Sequence, residues 1–379
     1  MNGPDGTMFS VQHVSQSVSR GSGADGQPEL SVQADGVLAA GAFPSAGVRG
    51  AKDLVVWKAN NAALPPSSVL EVYRLEPEQA PQRLTYTELS GPAVDPTVLS
   101  GDVDPSSPGN EIVVVGGDGA GRSARVCVFG GMVEEQVHLL SDFYMPRRAM
   151  GDEPSVPAIG HVVPDSRHPG SELIIGGKRG RVYAVGLDHG HAVLLSVLRA
   201  FRDRPKASAR KLAVGDVIPD IPGDEIVVAD DGTVGDALVR VFDSQTQRVV
   251  AEFAAFAPGV APAGIELWVG DVLTAFPGAE LLVGEGPAGG RLSVFTVASG
   301  VPVHVLDVPD PLHRATSLHG HLAIGNLLPE LVGNEIAVAQ GDPRIPVEVF
   351  NLNAGLGDPA ASVQPASDMD TVTAVATTY

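Results

Sequence analysis

Acidic residues recur at fixed positions in this 379-residue chain, where they could either bind a cation or cap turns. A Glu opens each of five apolar runs, and an Asp follows the glycine that precedes three of those runs. Such oxygens can surround a hard cation such as calcium, which takes about 6 to 8 oxygen ligands. The alternative is that each Asp accepts backbone N–H bonds from its own turn and each Glu anchors the loop. Both interpretations concern the same candidates: Asp102, Asp104, Glu111, Asp216, Asp220, Asp224 and Glu225.

Basic residues concentrate in three other segments, 141–156, 199–211 and 307–320, which hold nine of the 25 Lys and Arg residues. An Arg beside an aromatic ring can bind a carboxylate or sulfate through two N–H groups while the ring stacks on a sugar-like surface. We therefore expect a ligand surface here; the alternative is a set of solvated loops whose Arg residues pair with nearby Asp and Glu. The candidate ligand-binding residues are Tyr144, Arg147, Arg148, Phe201, Arg202, Arg204, His313 and Arg314.

No sequence motif supports catalysis or a resident cofactor. The chain lacks a Gly-x-Ser-x-Gly elbow, a Walker-type phosphate loop and a His-Glu-x-x-His helix. Its one cysteine, Cys127, excludes an intramolecular disulfide and any zinc or iron–sulfur site built from cysteines. The sequence thus predicts a protein that is not an enzyme and has no cofactor, with calcium in one or two loops as the alternative.

The charge balance also limits the partners. With 25 basic and 45 acidic residues the net charge is −20, which disfavours nonspecific binding to nucleic acid or anionic membranes. No apolar run approaches the roughly 18 residues that span a bilayer, and the first residues do not resemble a signal peptide. We expect no nucleic-acid partner and no direct membrane insertion.

A sequence repeat positions all of these residues. The segment GDVDPSSPGNEIVVVGG at Gly101 recurs as GDVIPDIPGDEIVVADD at Gly215, and the steps between successive anchor glycines are 60, 59, 55, 55 and 55 residues. Each unit contains four short apolar runs, the third usually ending in an aromatic residue, without helical periodicity. Four strands in a unit of this length are typical of a propeller blade. The anchor glycines are Gly41, Gly101, Gly160, Gly215, Gly270 and Gly325.

The chain ends suggest how such a ring would close. Residues 371–378 resemble one more first strand, and residues 8–14 and 29–34 resemble two further strands. A seventh blade shared between residues 1–36 and 369–379 would remove exposed strand edges. The sequence predicts an all-β, single-domain, seven-bladed propeller of four-stranded blades over residues 1–379, closed by its N- and C-terminal strands, with six blades as the alternative.

The repeated Gly-Asp-Val, Pro/Gly turn and Glu-Ile-Val-Val pattern resembles the FG-GAP (VCBS-type) repeat of integrin α-subunit propellers and some fungal propeller lectins. The resemblance covers residues 37–350. It implies a propeller used for adhesion or ligand recognition, often with calcium in the loop joining the first two strands, and an extracellular or cell-surface location. This chain departs from the family in that loop, where Pro and apolar residues replace the central acidic residues.

Together these patterns favour a noncatalytic recognition or adhesion module that binds a glycan or protein partner through the loops joining successive blades. Two alternatives remain open: a polysaccharide-active, lyase-like enzyme on a propeller scaffold, and a structural subunit of an oligomer or larger assembly. The sequence alone leaves the ligand and the compartment unassigned.

Overall fold

A computed structural model describes part of the chain, mostly between residues 94 and 308. The described residues are 9–10, 21–22, 28–29, 35–41, 52–60, 67–75, 82–90, 94–117, 124–133, 136–145, 157–164, 167–204, 209, 211–230, 237–257, 265–285, 291–308, 322–325, 331–338, 347–354 and 361–363. Among them no helix has the length and apolar character needed to cross a membrane.

The described elements are almost all β-strands. Three short strands come first: β1 Phe9–Ser10, β2 Gly21–Ser22 and β3 Pro28–Glu29. The Gly41 sheet contains β4 Asp35–Gly41, β5 Lys52–Asn60, β6 Ser67–Leu75 and β7 Gln82–Ser90. The Gly101 blade contains β8 Val94–Gly101, β9 Glu111–Gly117, β10 Ala124–Val133 and β11 Gln136–Tyr144. The Gly160 blade contains β12 Ala158–Gly160, β13 Glu172–Gly176, β14 Arg181–Asp188 and β15 His191–Arg199.

The second half of the chain repeats this order. The Gly215 blade contains β16 Lys211–Gly215, β17 Glu225–Ala229, β18 Leu238–Phe242 and β19 Val249–Ala254. The Gly270 blade contains β20 Ile265–Gly270, β21 Glu280–Glu285, β22 Leu292–Thr296 and β23 Val303–Val308. The Gly325 sheet contains β24 Leu322–Gly325, β25 Glu335–Val338, β26 Val347–Phe350 and β27 Ala361–Val363. Two short 3₁₀ helices are Lys178–Gly180 and Leu352–Ala354.

In every four-stranded sheet each strand pairs antiparallel with the next along the chain, in the order first, second, third, fourth. Because the strands alternate in direction, the connections between blades and the turns between second and third strands lie at one end. We call this end the loop face. The turns between first and second strands, and those between third and fourth strands, lie at the other end, which we call the turn face. Residues on opposite faces can therefore serve different purposes.

The first strands of neighbouring blades pack side by side, which explains the repeated glycine. A Cβ added at Gly215 would lie 2.4 Å from Val269 Cγ1, and one at Gly270 would lie 2.5 Å from Ile324 Cγ2. The same contact joins Gly101 to Ile159, at 2.6 Å from Cγ2. No side chain fits at these positions, so the sequence keeps glycine there.

From the Gly101 blade to the Gly325 sheet, a backbone hydrogen bond joins each pair of neighbouring units at the turn face. The carbonyl of the residue after the anchor glycine accepts the amide N–H of the residue before the repeated Glu of the next blade. The four bonds run from Ser171 to Asp102 (2.6 Å), from Asp224 to His161 (2.8 Å), from Ala279 to Asp216 (2.7 Å) and from Asn334 to Asp271 (2.7 Å). The repeat therefore fixes blade-to-blade register as well as the fold of each blade.

The prediction of an all-β propeller is confirmed, but the predicted number of blades is not. Side chains are described on all four strands of four blades, those of Gly101, Gly160, Gly215 and Gly270, instead of the predicted seven or the alternative six. Apolar clusters lie between these blades, for example the one that includes Ile174 of the Gly160 blade and Val214 of the Gly215 blade. The Gly41 and Gly325 sheets repeat the strand order at either end of the chain.

The described N-terminal strands also differ from the predicted seventh blade. Phe9 of β1 lies opposite Ser100 of β8, so β1 pairs with the first strand of the Gly101 blade. Among the described strands, the short β3 pairs with β2 alone, with Glu29 opposite Gly21. A first strand has one edge that its own blade leaves unpaired, and β1 covers that edge in the Gly101 blade. The predicted partner strand, residues 371–378, lies outside the described residues.

Candidate functional site

The repeated glutamates hold the turns between first and second strands. Glu111 Oε2 accepts the backbone N–H groups of Val103 (2.9 Å) and Asp104 (3.0 Å). Glu280 Oε2 does the same for Val272 (2.9 Å) and Leu273 (2.8 Å). Each carboxyl replaces water for two turn amides, which confirms the prediction that the Glu anchors the loop.

Burial changes the ionisation of these glutamates. It raises the pKa of Glu111 and Glu225 to about 8 and that of Glu280 to about 7, despite the opposing effect of the turn N–H bonds. In each of the three the second oxygen, Oε1, is buried without a hydrogen-bond partner among the described residues. A buried carboxylate with only one oxygen hydrogen-bonded is unfavourable, so near pH 7 the neutral acid is favoured for Glu111 and Glu225, while Glu280 is close to the midpoint of its titration.

In the Gly160 blade and the Gly325 sheet, the second oxygen of the repeated Glu has a side-chain partner. His168 Nδ1 lies 3.1 Å from Glu172 Oε1, and His168 Nε2 lies 3.0 Å from the carbonyl of Leu187. In the Gly325 sheet Asn351 Nδ2 donates to Glu335 Oε1 at 2.7 Å. These partners are local substitutions that satisfy the second carboxyl oxygen.

The candidate calcium ligands are mainly engaged with the backbone. Asp104 Oδ2 accepts the N–H of Gly190 (2.6 Å) from the next blade, and Asp224 Oδ2 accepts that of His161 (2.7 Å). Asp102, Asp216 and Asp220 are exposed. Among the described residues no group of three or more His, Cys, Asp or Glu could hold a metal ion. Calcium in one or two loops stays a prediction, whereas turn capping has direct geometric support.

On the loop face, residues 199–204 fold onto the turn formed by residues 178–180. Ala200 N donates to the carbonyl of Gly180 at 2.6 Å, and a Cβ at Gly180 would lie 2.9 Å from Phe201 Cβ. Gly180 has a φ of 63°, which glycine adopts at little cost. The connection between blades is thus packed tightly against the preceding blade.

Arg240 holds the 199–204 connection in place through its guanidinium group. Its Nη1 and Nη2 donate to Asp203 at 2.7 and 2.8 Å, and its Nε donates to Glu252 at 2.5 Å. Its guanidinium also lies 5.2 Å from the ring centroid of Phe201. The hydrogen bonds from Arg240 lower the pKa of Asp203 to about 2. Arg240 belongs to β18 of the Gly215 blade, so the connection is attached to both blades.

The structure places the predicted ligand residues in different environments. Tyr144 is 52% exposed at the end of β11, and Arg202 is exposed. Arg204 Nη1 lies 3.3 Å from the buried Asp230 carboxylate. Phe201, in contrast, is only 1% exposed, so it supports the loop and has no free ring face for a ligand. Four predicted residues lie outside the described ones: Arg147, Arg148, His313 and Arg314.

Sequence reasoning missed three basic residues that the fold brings to Arg199, Arg202 and Arg204. All three come from the turn and strand at 178–181. A visible signal was the run Lys-Arg-Gly-Arg, which stands between a second and a third strand and so must lie on the loop face. The missed residues are Lys178, Arg179 and Arg181.

No family model matches the chain, and no curated protein matches it. Among solved structures it is similar to Chaetomium thermophilum Sqt1 bound to the N-terminus of ribosomal protein L10, with a TM-score of 0.46, 13% identity and coverage of 86% of this chain and 74% of that one. It is also similar to the exotype rhamnogalacturonan lyase YesX, with a TM-score of 0.44, 15% identity and coverage of 93% of this chain and 60% of that one. A chain of the mitotic checkpoint complex gives a TM-score of 0.43, 12% identity, 83% coverage of this chain and 77% of that one.

At these identities and TM-scores, the likenesses carry no argument about function. The chain spans 60% of the length of the lyase chain it matches. The resemblance to FG-GAP repeats, and the lectin and adhesion roles that it implies, stay predictions.

Proposed function

We propose that the protein is a noncatalytic recognition module that binds a protein or glycan partner through its loop face. The observation that supports this most is the different use of charge on the two faces. On the turn face the repeated carboxyls are occupied by backbone N–H groups of the turns, as Glu111 and Glu280 illustrate. On the loop face basic side chains such as Arg199 and Arg202 are exposed on a tightly packed connection.

Rigid support favours recognition. The bonds from Arg240 to Asp203 and to the carbonyl of Ala200 (2.7 Å) order the connection before any partner arrives. A surface that is ordered in advance loses less conformational entropy on binding. Exposed Arg side chains on such a surface suit carboxylate or sulfate groups of a partner.

The test combines a binding array with a loop-face variant. The full chain is applied to an array of glycans and acidic, basic and neutral peptides, alongside the variant carrying Arg147→Ala, Arg148→Ala and Arg202→Ala; Arg204 is left unchanged because it faces the buried Asp230. The proposal predicts a discrete set of hits that this variant loses while its melting temperature stays close to that of the wild type. Hits retained in full by the variant would contradict it.

Two further readouts separate the alternatives. Incubation with polygalacturonate and rhamnogalacturonan, followed by the ultraviolet absorbance of unsaturated products, tests for a lyase; turnover would overturn the noncatalytic proposal. Native mass spectrometry at several concentrations tests for a building block. A discrete oligomer without array hits would favour a structural subunit.

A further inference from the structure

A cluster of basic side chains forms at the loop-face end of the Gly160 blade. We call it the basic cluster. The 178–181 segment provides one half, and the 199–204 connection that folds onto it provides the other, through the bond from Ala200 N to Gly180 O. Most of its side chains are exposed, while Arg181 and Arg204 are half-buried. Its members are Lys178, Arg179, Arg181, Arg199, Arg202 and Arg204.

The arrangement is unfavourable without a counter-charge. Arg181 and Arg199 lie directly opposite each other in the pairing of β14 with β15. Like charges in such a cross-strand pair are destabilising. Arg179 has a φ of 58°, a left-handed conformation that is uncommon for a residue other than glycine. The strained backbone of Arg179 and the repulsion between Arg181 and Arg199 occur at the same end of the blade. This combination points to a binding role.

Nearby carboxylates are already engaged elsewhere. Asp203 accepts two bonds from Arg240, and Asp230 faces Arg204. Within the described part of the chain, Arg179, Arg181 and Arg199 form no ion pair, and neither does Arg202. Four guanidinium groups are therefore left for an external anion, in a protein whose net charge is −20.

Resting on the proposed function, we infer that the basic cluster binds an acidic peptide segment, rich in Asp or Glu, of a protein partner. Guanidinium groups match carboxylates through paired N–H bonds, and five of the six residues are Arg. An exposed aromatic ring on which a sugar could stack is not found among the described rings beside the cluster, because Phe201 and Tyr183 are buried. The exposed Tyr144 belongs to the neighbouring Gly101 blade.

The probe is a fluorescein-labelled oligoglutamate peptide, with an oligoglutamine peptide of equal length as the neutral control. Fluorescence anisotropy is measured with the full chain, the triple variant R179Q/R199Q/R202Q, and the control variant R248Q. Arg248 is exposed on the turn face, in the hairpin before β19, so R248Q removes one charge at the other end. We expect the triple variant to bind oligoglutamate at least about tenfold more weakly, R248Q to match the wild type, and oligoglutamine not to bind.

A second pair of variants separates binding from folding. R199K keeps the charge but not the planar donor pair, so it should retain part of the affinity. R199Q should lose affinity without a lower melting temperature, because it removes one of two opposed charges. A melting temperature that falls in R199Q in proportion to lost affinity would show a structural role and overturn the inference.

The remaining outcomes are distinct. Equal oligoglutamate binding by the triple variant and the wild type overturns the inference. Binding of a sulfated or uronic-acid oligosaccharide, with no binding of oligoglutamate, also overturns it while leaving recognition by the loop face intact. Array hits that no loop-face variant changes overturn the proposed function itself.

Discussion

Glu225 shows at the residue scale how the turn face stabilises the fold. Its Oε2 accepts the N–H of Ile218 at 2.8 Å, and burial raises its pKa to about 8. The repetition of Glu in the sequence indicated turn anchoring as one of two interpretations, the other being calcium binding, and the hydrogen bond of Oε2 supports anchoring. The pKa of Glu225 was not predictable, because it depends on whether Oε1 has a hydrogen-bond partner. His168 contacts Oε1 of Glu172 and Asn351 donates to Oε1 of Glu335, whereas Oε1 of Glu225 has no partner among the described residues.

A Glu225→Gln substitution should make stability less dependent on pH. The folded protein holds the proton of Glu225 more tightly than the unfolded chain does, so this stabilisation is complete below the unfolded pKa near 4.5 and is lost as pH rises through about 8. The melting temperature of the variant minus that of the wild type should therefore increase between pH 5 and pH 9. Differential scanning fluorimetry across this range measures it.

Glu172→Gln is the comparison, because burial raises the pKa of Glu172 as well. Its stability relative to the wild type should therefore also increase with pH, but from a lower starting value, because His168 loses a buried carboxyl partner. A difference for Glu225→Gln that is flat with pH would contradict the account of Glu225 as a neutral buried acid.

At the scale of elements, two features at the end of the first strand join neighbouring blades. They are the anchor glycine and the backbone carbonyl of the residue that follows it. Spacing and alternation predicted the four strands of each blade, including the aromatic residue late in the third. The structure adds a register shift at that aromatic residue, as between Val241 and Phe242. The contact of Gly215 with Val269 was not predictable, because it joins residues of different repeats and leaves no local pattern.

Gly215→Ala should destabilise the protein by about 1 to 3 kcal/mol, because the new methyl group would overlap Val269 Cγ1 of the next blade. Val269→Ala alone should also destabilise it, through the cavity that it leaves. The double variant should cost less than the sum of the two, because truncation of Val269 makes room for the new methyl group. Chemical unfolding of the four proteins measures the coupling; strict additivity would show that the two positions do not touch.

At the scale of the whole molecule, the repeat predicted a propeller but not the arrangement of its ends. The four blades between Gly101 and Gly270 follow from strong patterns that recur at fixed steps. The N-terminal strands are only two residues long, and so short a segment has no alternation that selects β8 as the partner of β1. The sequence predicted only part of the basic cluster. Arg202 and Arg204 lie in a segment rich in basic residues, whereas Arg181 joins them through the pairing of β14 with β15.

The net charge of −20 should itself limit stability above neutral pH. Adding salt at pH 8 should raise the melting temperature, because it screens repulsion among exposed carboxylates. Lowering the pH from 9 to 6 should raise it further at high salt, because protonation of the buried Glu111 and Glu225 is little affected by screening. A pH effect that vanishes at high salt would assign it to surface repulsion alone.

The central claim, that recognition belongs to the loop face and architecture to the turn face, is tested most directly by one array experiment on three proteins. These are the wild type, the loop-face variant R179Q/R199Q/R202Q, and a turn-face variant carrying Asp102→Asn, Asp216→Asn and Asp220→Asn, whose side chains are exposed. We expect the turn-face variant to keep the wild-type set of hits and the loop-face variant to lose it. Loss of the hits by the turn-face variant, with retention by the loop-face variant, would contradict the central claim.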